Sequence, residues 1–377
     1  MSTSAFRFEC LYQSKISRAR VGRIHTPHGV IDTPGFVGVG TNATLKALAN
    51  HEVNQLGLQL MFCNTYHLML QPGTKVIRAA GGLHRFMHRS LPIITDSGGF
   101  QVFSLAYGGV AQELKSQGNK QQTGSVLKID EQGVVFRSYR DGQKITLTPE
   151  SSVEAQKDLG ADIIIPFDEL PPYHMEKATL VKALARTHRW EQRSLATHLA
   201  NPQQQAMYAV IHGGIDADLR RHSSQFLTNL AFDGFAIGGS LGKTKAELVE
   251  TVAATMPHLP PEAPNHLLGI GDLESMARCI GLGIDTFDSS YPTKAARHGV
   301  LLTQQGMLKI TRQAYRYDFT APDDCPCPIC SHYTKAYLHH LFKAKEPTAA
   351  HLASLHNLSF MLRWMQQQRQ HILAGKL

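Results

Sequence analysis

A chain of 377 residues with 42% hydrophobic and 18% charged side chains has enough apolar surface to build one large core, which excludes wholesale disorder. The start, MSTSAFRFEC, has no apolar core of signal-peptide length, and no later stretch approaches the roughly 18 consecutive apolar residues of a membrane span, so a cytoplasmic protein is expected. Lys and Arg outnumber Asp and Glu 38 to 30, a net charge of +8 whose field favours polyanions without by itself proving a nucleic-acid partner.

Eight short, β-rich apolar runs follow one another along the chain, at residues 36–39, 59–62, 91–94, 163–165, 207–211, 234–237, 266–270 and 284–287. Their near-continuous apolarity suits strands covered on both faces, and segments between them, such as Pro149–Leu159 and 177–198, have helix-forming composition. The pattern predicts an α/β fold, a (β/α)8 TIM barrel, with an open doubly wound sheet as the alternative. Residues 1–377 read as a single barrel domain with a zinc-binding subdomain, 315–358, inserted near the C-terminus.

Several runs end in polar or glycine-rich clusters: Asp96-Ser97-Gly98-Gly99, Asp168-Glu169, His212-Gly213-Gly214, Gly238-Gly239-Ser240 and Asp288-Ser289-Ser290. In a closed barrel all strand C-termini share one face, so these clusters are expected to meet around one ligand. Residues 106–123, polar and rich in glycine, read as a solvated loop or hairpin flap beside the Asp96 strand end.

Of six cysteines, Cys325, Cys327 and Cys330 crowd together, while Cys10, Cys63 and Cys279 are scattered and read as small buried hydrophobes. Cys-x-Cys-x-x-Cys brings three thiolates within reach of one tetrahedral ion, and zinc with one added imidazole is the usual closed structural site. Spacing leaves the fourth ligand open among His332, His339, His340, His351 and His356. A site with four protein ligands has no open coordination position, so this metal is expected to hold the fold and leave the chemistry to other groups.

Asp96, Asp168 and Asp288 each end a strand. A pair of such acids suits chemistry at a sugar's anomeric carbon, one carboxylate as nucleophile and the other as acid and then base; taken singly, each is better read as a cap of the following helix.

The run TDSGGFQVFS from Thr95 to Ser104, Phe167-Asp168-Glu169, Phe287-Asp288 with PTKAAR from Pro292 to Arg297, the three-cysteine motif and Leu355-His356-Asn357-Leu358 together resemble the tRNA-guanine transglycosylase family, in unbroken order from about Phe8 to Lys376. The resemblance implies a homodimeric barrel enzyme of queuosine modification, with one structural zinc per subunit, that exchanges the wobble guanine of tRNAs with GUN anticodons for a 7-deazaguanine. It assigns Asp288 as the nucleophile that forms a covalent enzyme–RNA intermediate and Asp96 as the acid/base. Asp168, His212 and the backbone of Gly239 and Ser240 would bind the base, Phe100 would stack on it, and Lys294 and Arg297 would read the anticodon loop. The fourth zinc ligand would be His356.

Three positions depart from the family pattern. His212 stands where glutamine is common; an imidazole can still donate to a base carbonyl, with a pH dependence of its own. The segment from Gly238 to Thr244 looks one residue shorter than the bacterial GGLAVGE and lacks its glutamate, and Leu170 replaces a frequent cysteine. These changes point to queuine, with its bulky cyclopentenediol, as the preferred incoming base and 7-aminomethyl-7-deazaguanine as the alternative. A non-catalytic tRNA-binding partner subunit is the rival reading, and the presence of both Asp96 and Asp288 argues against it. The archaeal type, with extra C-terminal RNA-binding domains, is not expected of a sequence ending at Leu377.

Overall fold

A computed structural model of the protein describes residues 6–107 and 126–377. Three antiparallel strands come first, β1 (Arg7–Gln13), β2 (Arg20–Thr26) and β3 (Gly29–Thr33). Next come β4 (Gly35–Val39), β5 (Leu60–Cys63) and β6 (Ile93–Thr95), and then a second antiparallel sheet of β7 (Val126–Ile129), β8 (Val134–Arg137) and β9 (Lys144–Leu147). The chain continues through β10 (Ile163–Ile164), β11 (Ala206–Ile211), β12 (Gly234–Ile237), β13 (Asn265–Leu267) and β14 (Thr286–Ser289), and ends its strands in the hairpin β15 (Val300–Thr303) and β16 (Gly306–Lys309).

Strands β4, β5, β6, β10, β11, β12, β13 and β14 form a closed barrel, every neighbouring pair parallel. The closing pair joins β14 to β4 from Thr286 opposite Gly35 to Ser289 opposite Gly38, which excludes the open doubly wound sheet. Successive strand residues divide between two cores, as the two-residue side-chain period requires. Val37, Phe62, Ile94, Ile163, Tyr208, Val210 and Ala236 pack together inside the barrel, capped by Ile24 and Ile31 from β2 and β3. Their neighbours Phe36, Met61, Ile93, Ile164, Met207, Ala209 and Phe235 pack outward in the other core.

The connecting helices follow local signals. Thr148 caps Pro149–Leu159 through its hydroxyl on Ser151 N at 3.1 Å, Pro149 fills the first turn, and Gly160 ends the helix in the left-handed region at φ +70°. At the barrel base Arg20 grips the buried Asp285 through two hydrogen bonds, tying the N-terminal sheet to β14. The long helix Pro347–Leu373 packs against the barrel through Leu358, Met361, Met365 and Ile372. Its N-terminal part shares a smaller core with the cysteine motif and the β15–β16 hairpin, through Leu301, Ile310, Ile329, Leu338 and Leu352.

Most of the flap expected at 106–123 lies outside the described residues, and Ala106 and Tyr107 close the helix Gly99–Tyr107. Among the described residues no helix is long and apolar enough to cross a membrane.

Candidate active site

A cavity of about 800 Å³ opens at the C-terminal ends of the parallel strands. Asp96, Phe100, Asp168, Gly239, Ser240 and Asp288 all line it, although they come from four different strand ends. Among the described residues, Asp96, Asp168 and Asp288 are the only carboxylates that do so.

Asp96 directly follows β6 and is 7% exposed. Asn64 Nδ2 donates to its Oδ2 at 2.6 Å, and the backbone N–H of Thr65 donates to Oδ1 at 2.7 Å. Burial pushes the carboxyl up to about 6, and these hydrogen bonds, which favour the charged form, limit the rise. A carboxyl poised there can give and take a proton near neutral pH.

Asp168 lies beyond β10, held from two sides: Ser97 Oγ donates to Oδ1 at 3.0 Å and His212 Nε2 lies 2.8 Å from Oδ2. Its neighbour Glu169 turns away into a half-buried ion pair with Arg186 at 2.7 Å. Only the first acid of the Asp168-Glu169 pair therefore faces the ligand space. His212 is 2% exposed and does not line the cavity; it stands behind Asp168.

Asp288, on β14, accepts from Gly269 N at 2.8 Å and faces His266 Nε2 at 3.0 Å, both on Oδ1. Among the described residues Oδ2 accepts no hydrogen bond. An ionised carboxylate fixed by one oxygen presents the other to an electrophile.

The glycine-rich loop after β12 supplies backbone. Gly239 has φ +77°, and a Cβ there would come within 2.8 Å of His212 Nδ1, so only glycine fits. Arg220, fully buried in the helix Ala217–Leu227, holds this loop and the one after β11 by donating to Ile211 O at 2.7 Å, Gly214 O at 2.8 Å and Ser240 O at 3.2 Å. Burial lowers its guanidinium to about 9. Leu170, Leu241 and Leu248 add apolar side chains to the lining, beside Tyr173, whose hydroxyl donates to Glu247 Oε1 at 3.3 Å. Glu247, the acid nearest the 238–244 segment in sequence, caps its own helix by accepting from Lys243 N at 2.6 Å.

Lys294 and Arg297 lie on the short helix Tyr291–Arg297 that follows Asp288, outside the cavity lining. Lys294 is exposed, and Arg297 keeps a buried guanidinium nitrogen with no partner among the described residues.

Farther along, Cys325, Cys327, Cys330 and His356 have their ligand atoms within 4.8 Å of one another, a group that could hold a metal ion. His356 Nδ1 is 3.5 Å from Cys327 Sγ and 3.4 Å from Cys330 Sγ. Tetrahedral zinc bonds of about 2.3 Å to sulfur and 2.05 Å to nitrogen place S and N about 3.5 Å apart, so the spacing fits. The ring's Nε2 lies 2.8 Å from Leu302 O; donating there leaves Nδ1 with its lone pair toward the sulfurs. The approach of Cys330, and after it His356 and Cys325, drives the Cys327 thiol down toward thiolate. Of the five histidines left open by spacing, the geometry brings His356 to the cysteines.

Sequence reasoning missed four supports. Asn64 and Thr65 directly follow β5, one residue past the run 59–62, and carried a legible strand-end signal. His266 was hidden inside an apolar run, and Arg220 gave no signal, since its three acceptors are backbone carbonyls of two separate loops.

A family model described as Queuine tRNA-ribosyltransferase matches residues 14–377. The queuine tRNA-ribosyltransferase of Protochlamydia amoebophila is 66% identical over 368 residues, covering 97% of this chain and 95% of that protein. Those of Chlamydia caviae and Chlamydia muridarum are 55% and 56% identical over 375 residues, each covering 99% of this chain and 100% of the relative.

Proposed function

This chain belongs to the queuine tRNA-ribosyltransferase family, and from that premise we propose that it replaces the wobble guanine of GUN-anticodon tRNAs with a 7-deazaguanine by double displacement. The observation that carries the reading is one cavity lined by three carboxylates in three different environments: Asp96 raised to about 6, Asp168 braced by Ser97 and His212, and Asp288 with one oxygen unengaged among the described residues.

Asp288 attacks the ribose anomeric carbon while the glycosidic bond breaks, its electron pair leaving with guanine, which takes a proton from Asp96. After the bases exchange, Asp96 accepts the proton of the incoming base, whose nitrogen attacks the same carbon and displaces Asp288. Retention at the sugar follows from two inversions. Asp168 accepts the donor edge of the base, the backbone of Gly239 and Ser240 meets it, and Phe100, 48% exposed at the cavity, stacks on it. His212 serves recognition by holding Asp168. Lys294 and Arg297 contact the anticodon loop.

The apolar side chains of Leu170, Leu241 and Leu248 in the lining, with no carboxylate beyond Asp96, Asp168 and Asp288 among the described lining residues, support queuine over the aminomethyl base. Zinc, one ion per subunit, would be held by Cys325, Cys327, Cys330 and His356; it would tie the 315–358 subdomain to the barrel and take no part in the chemistry. The resemblance alone supports a cytoplasmic homodimer. The test is denaturing electrophoresis after incubation with a GUN tRNA: a protein–RNA band that Asp288→Ala abolishes supports the reading, and its absence from the parent contradicts it. Direct competition between the two bases tests the preference, which faster turnover of the aminomethyl base would reverse.

A further inference from the structure

β13 places a histidine directly behind Asp288. His266 is wholly buried and pairs in register with Thr286 on β14, so its ring lies along the face that Thr286 shares with Asp288, two residues on. Nδ1 lies 2.8 Å from Thr286 Oγ1, and Nε2 lies 3.0 Å from Asp288 Oδ1.

Counting hydrogens settles the role of Nε2. The Thr286 hydroxyl has one hydrogen and two acceptors in reach, Asn265 O at 3.2 Å and His266 Nδ1. If the hydrogen goes to Nδ1, the neutral ring carries its own on Nε2. A carboxylate oxygen only accepts, so this tautomer is the one that the contact of Nε2 with Asp288 Oδ1 calls for. In this tautomer Nε2–H donates to Asp288 Oδ1, the oxygen that already accepts from Gly269 N at 2.8 Å.

We propose that His266 is a positioning residue which, with Gly269, pins Oδ1 so that Oδ2 is the oxygen that attacks. The proposal rests on reading Asp288 as the nucleophile. In the first displacement Oδ2 bonds to the anomeric carbon as the bond to guanine breaks, the electron pair goes to guanine, and a proton follows from Asp96. Oδ1 becomes the carbonyl oxygen of the resulting ester and keeps both donors. In the second, the nitrogen of the incoming base bonds to that carbon and gives its proton to Asp96, and the electron pair of the broken ester bond returns to Asp288, where the two donors stabilise the restored charge.

Two amides of opposite reach test this on the full chain. His266→Gln extends its amide to about the position of Nε2 and keeps a donor for Asp288; His266→Asn ends near Nδ1 and keeps only Thr286. Single-turnover formation of the Asp288–RNA complex should fall about 10- to 100-fold in His266→Asn, with KM for tRNA within about threefold, and recover to within about fivefold of the parent in His266→Gln. Should His266→Asn fail to fold by thermal melting, His266→Phe, which fills the ring's volume without a donor, takes its place with the same expected loss. Equal rates in the Gln variant and the Asn or Phe variant, whether both slow or both like the parent, would overturn the positioning role alone. A parent protein that forms no Asp288-linked complex would overturn the nucleophile reading, and this proposal with it.

Discussion

His212 Nε2 stands 2.8 Å from Asp168 Oδ2, while Nδ1 is buried against Gly239 with no hydrogen-bond partner among the described residues. The histidine thus faces the Asp168 carboxylate and does not line the cavity. Replacing His212 with Leu leaves Asp168 braced only by Ser97, and KM for guanine should rise about tenfold while KM for tRNA changes little. His212→Gln, which can still donate to Asp168, should stay within about threefold of the parent. Steady-state kinetics with each substrate varied in turn checks this; a Leu variant with parental KM for guanine would show that the contact is idle.

Asp96 has a signed pH consequence. Its carboxyl is raised to about 6 by burial, so the acid form needed to protonate departing guanine is full below that pH and declines above it. Single-turnover guanine release should fall about tenfold per pH unit between 7 and 8. The folded-state value lies above that of the unfolded chain, so the stability contributed by protonated Asp96 is present in full below about pH 4 and is lost as pH rises through about 6. Asp96→Asn should therefore stabilise the protein at pH 8 by up to about 3 kcal/mol and have little effect at pH 4. Urea unfolding at the two pH values reads the difference.

Arg220 joins two active-site loops through three carbonyls and no carboxylate. In Arg220→Met those carbonyls lose their donor, and stability should fall by about 2–4 kcal/mol with a rise in KM for the base of about tenfold or more. Chemical denaturation and kinetics on the same preparation separate this from a simple loss of folded protein.

For the cysteine site, metal analysis should find one zinc per chain. A chelator, or His356→Ala, should remove it and lower the melting temperature by about 5–10 °C. A metal-free protein melting with the parent would reject the structural role.

The barrel was legible because its eight strands are short apolar runs, and the site because Asp96, Asp168 and Asp288 sit within three residues of the ends of three of them. The β1–β3 and β7–β9 sheets escaped notice, since strands such as Arg7–Gln13, largely exposed or half-buried, carry no continuous apolar signal. Contacts such as His266 with Asp288 and Ser97 with Asp168 depend on which strands become neighbours and in what register, which spacing along the chain does not encode. The separation of Asp168 from Glu169 is of the same kind: adjacent acids take opposite faces, and only the packing of Arg186 shows which one is neutralised.

The central claim is that Asp288 carries the ribosyl group, and the most direct measurement is exchange of radiolabelled guanine out of a GUN tRNA by the purified protein, with queuine and 7-aminomethyl-7-deazaguanine supplied separately. Release of label by the parent, faster with queuine and abolished in Asp288→Ala, is the predicted result. Tight tRNA binding with no release from the parent would contradict it and leave a non-catalytic tRNA-binding subunit.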